Sequence, residues 1–478
     1  MTDDSERGDP GDAADQDATD RDATDRDDSD TVGGAADIDR DDGEVGVVGG
    51  LLDRVGVLVD TESFGWKRDL LLIVVAMLVT YVAFGLLGVL TGVSVNETVG
   101  FLQTVTFFAA VFALLTLALN LHWGYTGLFN IGVAGFMAVG VYTMAILTAD
   151  PTGTPAGFGL PIPVGVVGGT IAAGLVGAVI ALPALRVRAD YFAIITLGFS
   201  EIVRLSITSG TLRQIEVGER VYGTGGGSGI RYTPVDTVVP WLLEFSVIAM
   251  VGDVLYGIGE LVGVSQSIVN RLLYALVIIT FVLLFYLLLY RIARSPFGRV
   301  LKAIREDEIV ARSLGKNTQL AKIKVFTLGC ALMGLAGILW IGSRSLVTPE
   351  SFMPIVTFYI FVALIVGGSG SNTGSVLGGF VFAAFLWEGP RFVRTILRSN
   401  LDIRSPQTIY DAFVELAALD PMPLVGYLVG SLDEIRWVII GVVLVILMIY
   451  RPEGLLGDRK EIAAATDLSR RTGGESDE

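Results

Sequence analysis

The sequence has very few of the residues that form disulfides or bind structural metals. One cysteine, Cys330, and one histidine, His122, occur in 478 residues. A disulfide framework needs a set of cysteines, and a structural zinc site needs several Cys or His ligands. The sequence therefore excludes both, and it predicts no metal site.

Outside its first 44 residues, the chain also carries almost no net charge. The formal net charge is −16, but residues 1–44 hold 18 acids against four arginines, which leaves −2 for the rest. This segment has almost no apolar residues before Ile38, so it cannot bury enough surface to offset its chain entropy. We expect residues 1–50 to be a disordered acidic tail. Residues 51–457 would form a membrane domain, and residues 458–478 a second tail.

Long apolar runs are abundant. The chain is 52% hydrophobic and 18% charged, with a mean hydropathy of +0.63, values that soluble domains of this size do not reach. A helix needs about 20 apolar residues to cross a bilayer. The sequence predicts an all-α polytopic membrane protein with about ten spans (between eight and twelve), near 70–90, 101–120, 128–148, 162–184, 190–206, 270–290, 325–343, 355–372, 376–393 and 434–450.

Basic residues predict the orientation of these spans. They cluster before the first span, after the fourth, between the sixth and seventh, and after the last, which is one side if ten spans are counted. Residues 91–100 and 149–161 contain no Lys or Arg. Both termini and the loop 291–324 are therefore predicted to be cytoplasmic, and residues 207–268 to be an extracellular insertion.

The loop contains a capped amphipathic segment, Ser295 to Asn317. Ser295 suits an N-cap, Pro296 the first helical turn, and Gly315 the residue that ends a helix. Six apolar residues recur at helical spacing: Phe297, Val300, Leu301, Ile304, Ala311 and Leu314. The pattern predicts one helix with a buried side and a solvated side.

Two interpretations of this segment remain open. Glu308 is in register with the apolar residues, where a carboxylate is costly unless a basic group meets it, so the segment could dock on a basic partner. Alternatively, it could lie on lipid headgroups with Glu308 bonded to Arg312 one turn later. Under the docking interpretation, the candidate residues are Arg299, Arg305, Glu306, Asp307, Glu308, Arg312 and Gly315.

Two glycine-rich motifs interrupt the apolar runs. GYTG at 124–127 and GGSGSNTGS at 367–375 tolerate unusual backbone angles, and unwound backbone at membrane depth occurs only inside protein or beside a cavity. Transporters place sites at such discontinuities, although the small residues could instead serve helix packing. The candidate pathway residues are Asn120, Gly124, Tyr125, Thr126, Asn130, Ser371, Asn372 and Thr373.

Several motifs together resemble one family. They are LALNLHWGYTGLFNIGVAGFMAVGVYT at 117–143, RADYFAIITLGFSEIVRL at 188–205, SPFGRVLKAIREDEIVARSLG at 295–315, SLVTPESF at 345–352, VGGSGSNTGSVLGG at 366–379 and RPEGLLG at 451–457. In this order, the set resembles the LivM-type permease of branched-chain amino-acid ABC importers. The resemblance covers most of residues 70–457.

The resemblance implies an ABC importer permease fold with discontinuous helices and a cytoplasmic coupling helix, which matches Ser295–Asn317. It also implies a plasma-membrane complex with a second homologous permease of the LivH type, two ATPase subunits that use ATP and Mg²⁺, and an extracellular solute-binding protein. This chain would contact membrane lipid, bind neither cofactor nor nucleic acid, and hydrolyse nothing itself. The coupling helix of this family carries a Glu-Ala-Ala pattern, which this sequence matches only in a loose form. Any one of Glu306, Asp307 and Glu308 could therefore be the acid that contacts the ATPase.

Three alternatives remain for the activity. Urea and short-chain amide importers have similar permeases, and sequence does not separate them from amino-acid importers. An ion-coupled secondary transporter or a membrane-embedded enzyme is disfavoured, because the spans hold no clustered acids or histidines and no set of catalytic residues.

Overall fold

A computed structural model of the chain describes residues 65–185, 189–218, 220–400, 406, 408–418 and 420–456. The predicted tails, 1–50 and 458–478, lie outside these residues. The first half of the chain begins with α1 (Gly65–Leu90), α2 (Val95–Thr126), α3 (Val133–Thr148), α4 (Ile162–Ala184) and α5 (Ala189–Thr208). The insertion that follows contains α6 (Gly210–Arg213), β1 (Ile215–Val217), β2 (Arg220–Tyr222), β3 (Ile230–Arg231), α7 (Val238–Leu242) and α8 (Ser246–Val262).

The second half continues with α9 (Gln266–Arg294), α10 (Pro296–Glu306), α11 (Glu308–Ser313), α12 (Thr318–Ile341), β4 (Leu346–Val347) and α13 (Pro354–Gly367). It ends with α14 (Asn372–Val381), a π-helical stretch (Phe382–Trp387), α15 (Gly389–Asn400), α16 (Ile409–Ala417), α17 (Met422–Gly430) and α18 (Leu432–Tyr450). The strands form two small antiparallel pairs, β1 with β2 and β3 with β4.

This architecture confirms the predicted all-α polytopic class. Within the described residues, seven helical segments are long and apolar enough to cross a membrane: α1, α2, α4, α5, α9, α12, and the segment from α14 to α15. Two further apolar helices, α3 and α13, are shorter. The chain is thus an integral membrane protein, while the count of ten spans stays a prediction.

Helix α2 is the central helix of the bundle. It is the most buried of the seven long segments, and it packs against α9, α12, α13 and α14. A capping box starts it, because the Ser94 hydroxyl accepts a hydrogen bond from the Glu97 N–H at 3.2 Å and the Glu97 carboxylate returns to Ser94. With 32 residues at about 1.5 Å each, α2 is roughly 48 Å long. It is therefore longer than the hydrocarbon core of a bilayer, which is about 30 Å thick.

Both predicted breaks are real, but they lie beside the residues that the motifs suggested. Gly124, Tyr125 and Thr126 belong to the last turn of α2, and the non-helical segment is 127–132, which begins at Gly127 with φ of +69°. The second break is 368–371, after which Asn372 already starts α14. Tyr125, Thr126 and Asn372 therefore sit on helix ends, whereas Asn130 lies within the first break.

The insertion 207–268 lies at the end of α2 that is remote from Gly124. The Ser265 N–H donates to Asn96 Oδ1, near the start of α2, at 2.9 Å. Helix α8 has 17 residues and one markedly apolar side, and the extracellular location of the insertion stays a prediction. In α5, Glu201 and Arg204 form an ion pair, with Arg204 Nε 2.9 Å from Glu201 Oε2.

Candidate functional site

The segment Ser295–Asn317 forms two helices, so the prediction of one continuous helix was wrong. Ser295 is the N-cap of α10, as predicted, with its Oγ 3.1 Å from the Gly298 nitrogen. The break falls at Asp307, whose backbone is extended (φ −155°, ψ 109°). Its carboxylate accepts from the N–H groups of Ile309 at 2.8 Å and Val310 at 3.0 Å. Asp307 therefore caps α11, and this local bond competes with a continuous helix.

Gly315 ends the second helix, as predicted. Its φ is +75°, its N–H donates to the Arg312 carbonyl at 2.9 Å, and the Lys316 N–H donates to the Ala311 carbonyl at 3.2 Å. A residue with a side chain would be strained at this φ. The chain can thus turn sharply from α11 into α12.

The apolar side of the segment is divided between core and solvent. Leu301, Ile304 and Ala311 are buried, as the spacing predicted. Leu314 was expected to be buried with them but is 71% exposed, because the break at Asp307 rotates α11 relative to α10. With Ile309 (76% exposed) and Val310 (54%), it forms an exposed apolar patch. An apolar patch between charged residues is typical of a protein contact surface.

Glu308 has its basic partners within the chain. Lys322 Nζ of α12 lies 2.5 Å from Glu308 Oε2, and Arg312 lies 3.3 Å from Oε1. Burial raises the pKa of Glu308, but the hydrogen bonds and charges of Lys322, Thr318 and Arg312 outweigh it and hold the pKa below its usual range. Glu308 therefore does not require a basic group from another protein, and the Glu308–Arg312 bond of the second interpretation is present. Glu308 instead fastens α11 to α12.

The remaining predicted coupling residues differ in exposure. Arg299, Glu306, Asp307 and Arg312 are exposed, and the last three are close in sequence to the residues of the apolar patch. Arg305 is half-buried and turns inward. Arg305 therefore contacts the interior of the protein, whereas the other four residues are available to a partner.

Arg305 joins the segment to the end of α2. Its Nη1 donates to the Gly124 carbonyl oxygen at 2.5 Å. This carbonyl belongs to the last turn of α2, where helix carbonyls have no partner within the helix and where a positive charge is favoured. Lys302 of the same helix lies over the Tyr125 ring at 5.8 Å. A movement of α10 would thus act directly on the C-terminal turn of α2.

The C-terminal turns of α2 are hydrogen-bonded to the second break, residues 368–371, and to the start of α14. Asn372 Oδ1 accepts from the Tyr125 hydroxyl at 2.8 Å and from Asn120 Nδ2 at 3.2 Å. Asn120 Oδ1 in turn accepts from the Gly370 N–H at 2.7 Å. We call these four residues the polar junction. It joins helices that lie about 250 residues apart in sequence.

Gly124 lets the polar junction form. A Cβ at this position would lie 1.9 Å from Asn120 Oδ1 and 2.8 Å from the Gly370 nitrogen. Both are distances that a real Cβ cannot adopt. Any side chain at 124 would therefore push Asn120 or the second break away.

The other predicted pathway residues make separate contacts. Ser371 caps α14 through the Gly374 N–H at 3.0 Å, and the Thr373 hydroxyl lies 3.1 Å from that of Tyr286 in α9. Thr126 bonds to the His122 carbonyl at 2.6 Å, and Asn130 Nδ2 lies 3.2 Å from His122 Nδ1. The eight predicted residues are all buried, and they either join helices or, like Ser371 and Thr126, bond within their own helix. Their role in lining a pathway stays a prediction.

A cavity that the sequence did not predict lies at the opposite end of α2. Its volume is about 400 Å³, within the range of small-molecule sites. It is lined by Gln103, Thr104, Phe107, Asp236, Thr237, Val239, Pro240, Asn270, Arg271, Tyr274 and Ser343. The only sequence signal was a glutamine within an apolar run. Among the described residues, no three His, Cys, Asp or Glu side chains come together as a metal site.

Comparison with known proteins agrees with this architecture. The family described as "Branched-chain amino acid transport system / permease component" matches residues 101–387. The chain is 30% identical over 347 residues to the high-affinity branched-chain amino acid transport system permease protein LivM of Escherichia coli, covering 72% of this chain and 68% of that protein. No solved structure matches it significantly.

An archaeal relative covers a similar share of the chain. The probable branched-chain amino acid transport permease protein LivM of Methanocaldococcus jannaschii is 26% identical over 377 residues, which is 73% of this chain and 91% of the relative. The family match over residues 101–387 contains both breaks, the segment Ser295–Asn317 (the coupling segment) and α2 from residue 101 onward. The chain therefore belongs to the family of permease components of branched-chain amino acid transport systems.

Proposed function

We propose that this chain is the membrane-spanning permease subunit of an ATP-binding cassette importer that carries branched-chain amino acids across the plasma membrane. Family membership over residues 101–387 and the names of the relatives support this substrate and this role. The all-helical membrane architecture is consistent with both.

The importer that we propose contains further subunits. They are a second homologous permease of the LivH type, two ATPases and an extracellular solute-binding protein. ATP and Mg²⁺ would be used by the ATPases, while this chain binds no cofactor and catalyses no reaction. The exposed apolar patch and the exposed charged residues close to it in sequence support an ATPase contact, because protein interfaces combine apolar and polar groups.

The orientation that we propose has both termini and the segment Ser295–Asn317 in the cytoplasm. Nine basic residues between 291 and 324 support it, since basic loops favour the cytoplasmic side. The cavity beside the insertion 207–268 would then face the exterior, because it lies at the other end of α2.

One contact carries the coupling mechanism that we propose: the bond from Arg305 to the Gly124 carbonyl. When the ATPases close, they would displace α10 and α11. The displacement would pass through Arg305 to the last turn of α2, and from there through the polar junction to α14. An ATP-driven movement outside the membrane would thus shift two central helices.

The test is uptake by proteoliposomes that contain the complete complex. We expect L-leucine to accumulate only when the binding protein and ATP are both supplied. Uptake of urea without leucine would replace the substrate assignment. Uptake that needs a proton or sodium gradient, and no ATPase, would overturn the importer assignment itself.

A further inference from the structure

The cavity at the outer end of α2 contains an acidic and a basic side chain that form no ion pair with each other. Asp236 precedes α7, and Arg271 lies in the second turn of α9. Both line the cavity, yet neither takes part in an ion pair within the described part of the chain. Two such charges held apart can each bind one end of a zwitterion.

The Asp236 carboxylate is in an environment that favours a cationic ligand. Burial raises its pKa, although N–H groups of its own turn and the charge of Arg271 oppose this effect. A carboxylate that has lost part of its hydration gains from a direct hydrogen bond with an ammonium group. Arg271 is exposed, and its guanidinium can bind a carboxylate through two parallel hydrogen bonds.

Gln103 is a second, independent sign of a ligand. It is 6% exposed, it lines the cavity, and its amide makes no hydrogen bond to the residues that the structure describes. The amide atoms are not fully enclosed by protein, so they are available for hydrogen bonds to a molecule in the cavity. Thr104 lines the cavity one residue further on and adds a hydroxyl.

The remaining wall is apolar. Phe107, Val239, Pro240 and Tyr274 line it, and the Tyr274 hydroxyl is already bonded to the Leu339 carbonyl at 2.7 Å. The ring of Tyr274 is therefore the part of this residue that is available to a ligand. A branched aliphatic side chain would remove apolar surface from water here.

We infer that this cavity is a binding site for a zwitterionic α-amino acid, with Asp236 at the ammonium group, Arg271 at the carboxylate, Gln103 in contact with the polar end, and the apolar wall around the side chain. The inference rests on the proposed function, since it assigns the place where the permease receives its substrate. Asp236, Arg271 and Gln103 thereby become residues that determine specificity.

The first experiment measures ATP-dependent L-leucine uptake by the complete complex in proteoliposomes. We expect Asp236→Asn and Arg271→Gln each to lower uptake about tenfold, equivalent to about 1.4 kcal/mol. Matched controls are Asp253→Asn and Arg231→Gln, which remove the same charges from exposed residues outside the cavity. We expect the controls to retain wild-type uptake.

The second experiment locates the ligand directly with a diazirine analogue of leucine and mass spectrometry. We expect light-dependent labelling of Phe107, Val239 or Pro240, removed by excess leucine and lowered about tenfold by Arg271→Gln. Arg271 is exposed, so this variant is expected to fold. Gln103→Leu keeps the buried volume and should lower labelling several-fold.

The outcomes separate the two proposals. If the wild-type complex takes up no leucine, the proposed function fails. If it does, but Arg271→Gln and Gln103→Leu transport and label like the controls, the importer stands and the site is refuted. Labelling confined to other parts of the chain would refute the site as well.

Discussion

The substitution Arg305→Gln tests the link between the coupling segment and the bundle. The Arg305 guanidinium caps the Gly124 carbonyl, which belongs to the last turn of α2 and has no helical partner. Glutamine keeps most of the chain length and a donor but removes the charge. Because Arg305 is half-buried on the surface of α10, the helix itself should remain folded.

The magnitude follows from the type of bond. A hydrogen bond to a charged group contributes about 1.5–3 kcal/mol, and partial exposure lowers this to about 1–2 kcal/mol. A loss of this size changes an equilibrium by roughly 5- to 30-fold. If the bond transmits the movement of α10 to α2, the number of leucine molecules imported per ATP hydrolysed should fall by a similar factor.

The assay measures leucine uptake and ATP hydrolysis together in proteoliposomes of the complete complex. We expect Arg305→Gln to keep substantial ATP hydrolysis while uptake falls. Lys316→Gln removes a positive charge from an exposed residue of the same loop and serves as the control. An unchanged ratio of uptake to hydrolysis in Arg305→Gln would refute the proposed route.

Three further predictions concern other parts of the chain. The pKa of Glu308 is lower in the folded protein than in the unfolded chain, so its contact with Lys322 stabilises α11 more at higher pH. We expect this stabilisation to be complete above about pH 4.3, the ordinary glutamate pKa. It should be lost as the pH falls through the lower folded-state pKa. Hydrogen-exchange protection from 308 to 322 should then decline in acid, and Glu308→Gln should abolish that decline. Asn372→Ala removes the acceptor of two buried bonds and should cost about 2–4 kcal/mol, seen as a lower melting temperature of the complex. Tyr125→Phe should lower the melting temperature less in the Asn372→Ala variant than in the wild type, because the bond between the two residues is already lost there. Equal decreases in both backgrounds would contradict the polar junction. Deletion of 2–44 should leave uptake intact, since the segment offers almost no apolar surface for packing, and loss of assembly would contradict this.

The positions of the long apolar helices could be predicted, because a run of about 20 apolar residues is visible in the sequence itself. Their ends could not be predicted from hydropathy alone. The apolar run suggested 101–120 for the central helix, whereas α2 covers Val95–Thr126. The additional turns carry polar residues, and they are set by the capping box at Ser94 and by the positive φ of Gly127. The helix ends at Ser295 and Gly315 could be predicted, because capping depends on the residue at the helix end and its immediate neighbours.

The candidate site depends on contacts between distant residues, which a single sequence does not encode visibly. The need of Glu308 for a basic group was correct, but Lys322 meets it only because α12 folds back beside α11. The bonds between Asn120 and Asn372 and between Arg305 and Gly124 also arise from tertiary packing. The extended backbone at Asp307 was missed, although aspartate is a favoured N-cap.

The central claim is that an ATPase docks on the exposed apolar patch of the coupling segment. The single native cysteine, Cys330, is fully buried, so Leu314→Cys introduces one reactive thiol on an exposed residue. In the assembled complex in membranes, a short crosslinker that carries a thiol-reactive group at one end should join this thiol to an ATPase subunit. Absence of that product in a complex that still imports leucine, or crosslinks to lipid alone, would contradict the claim.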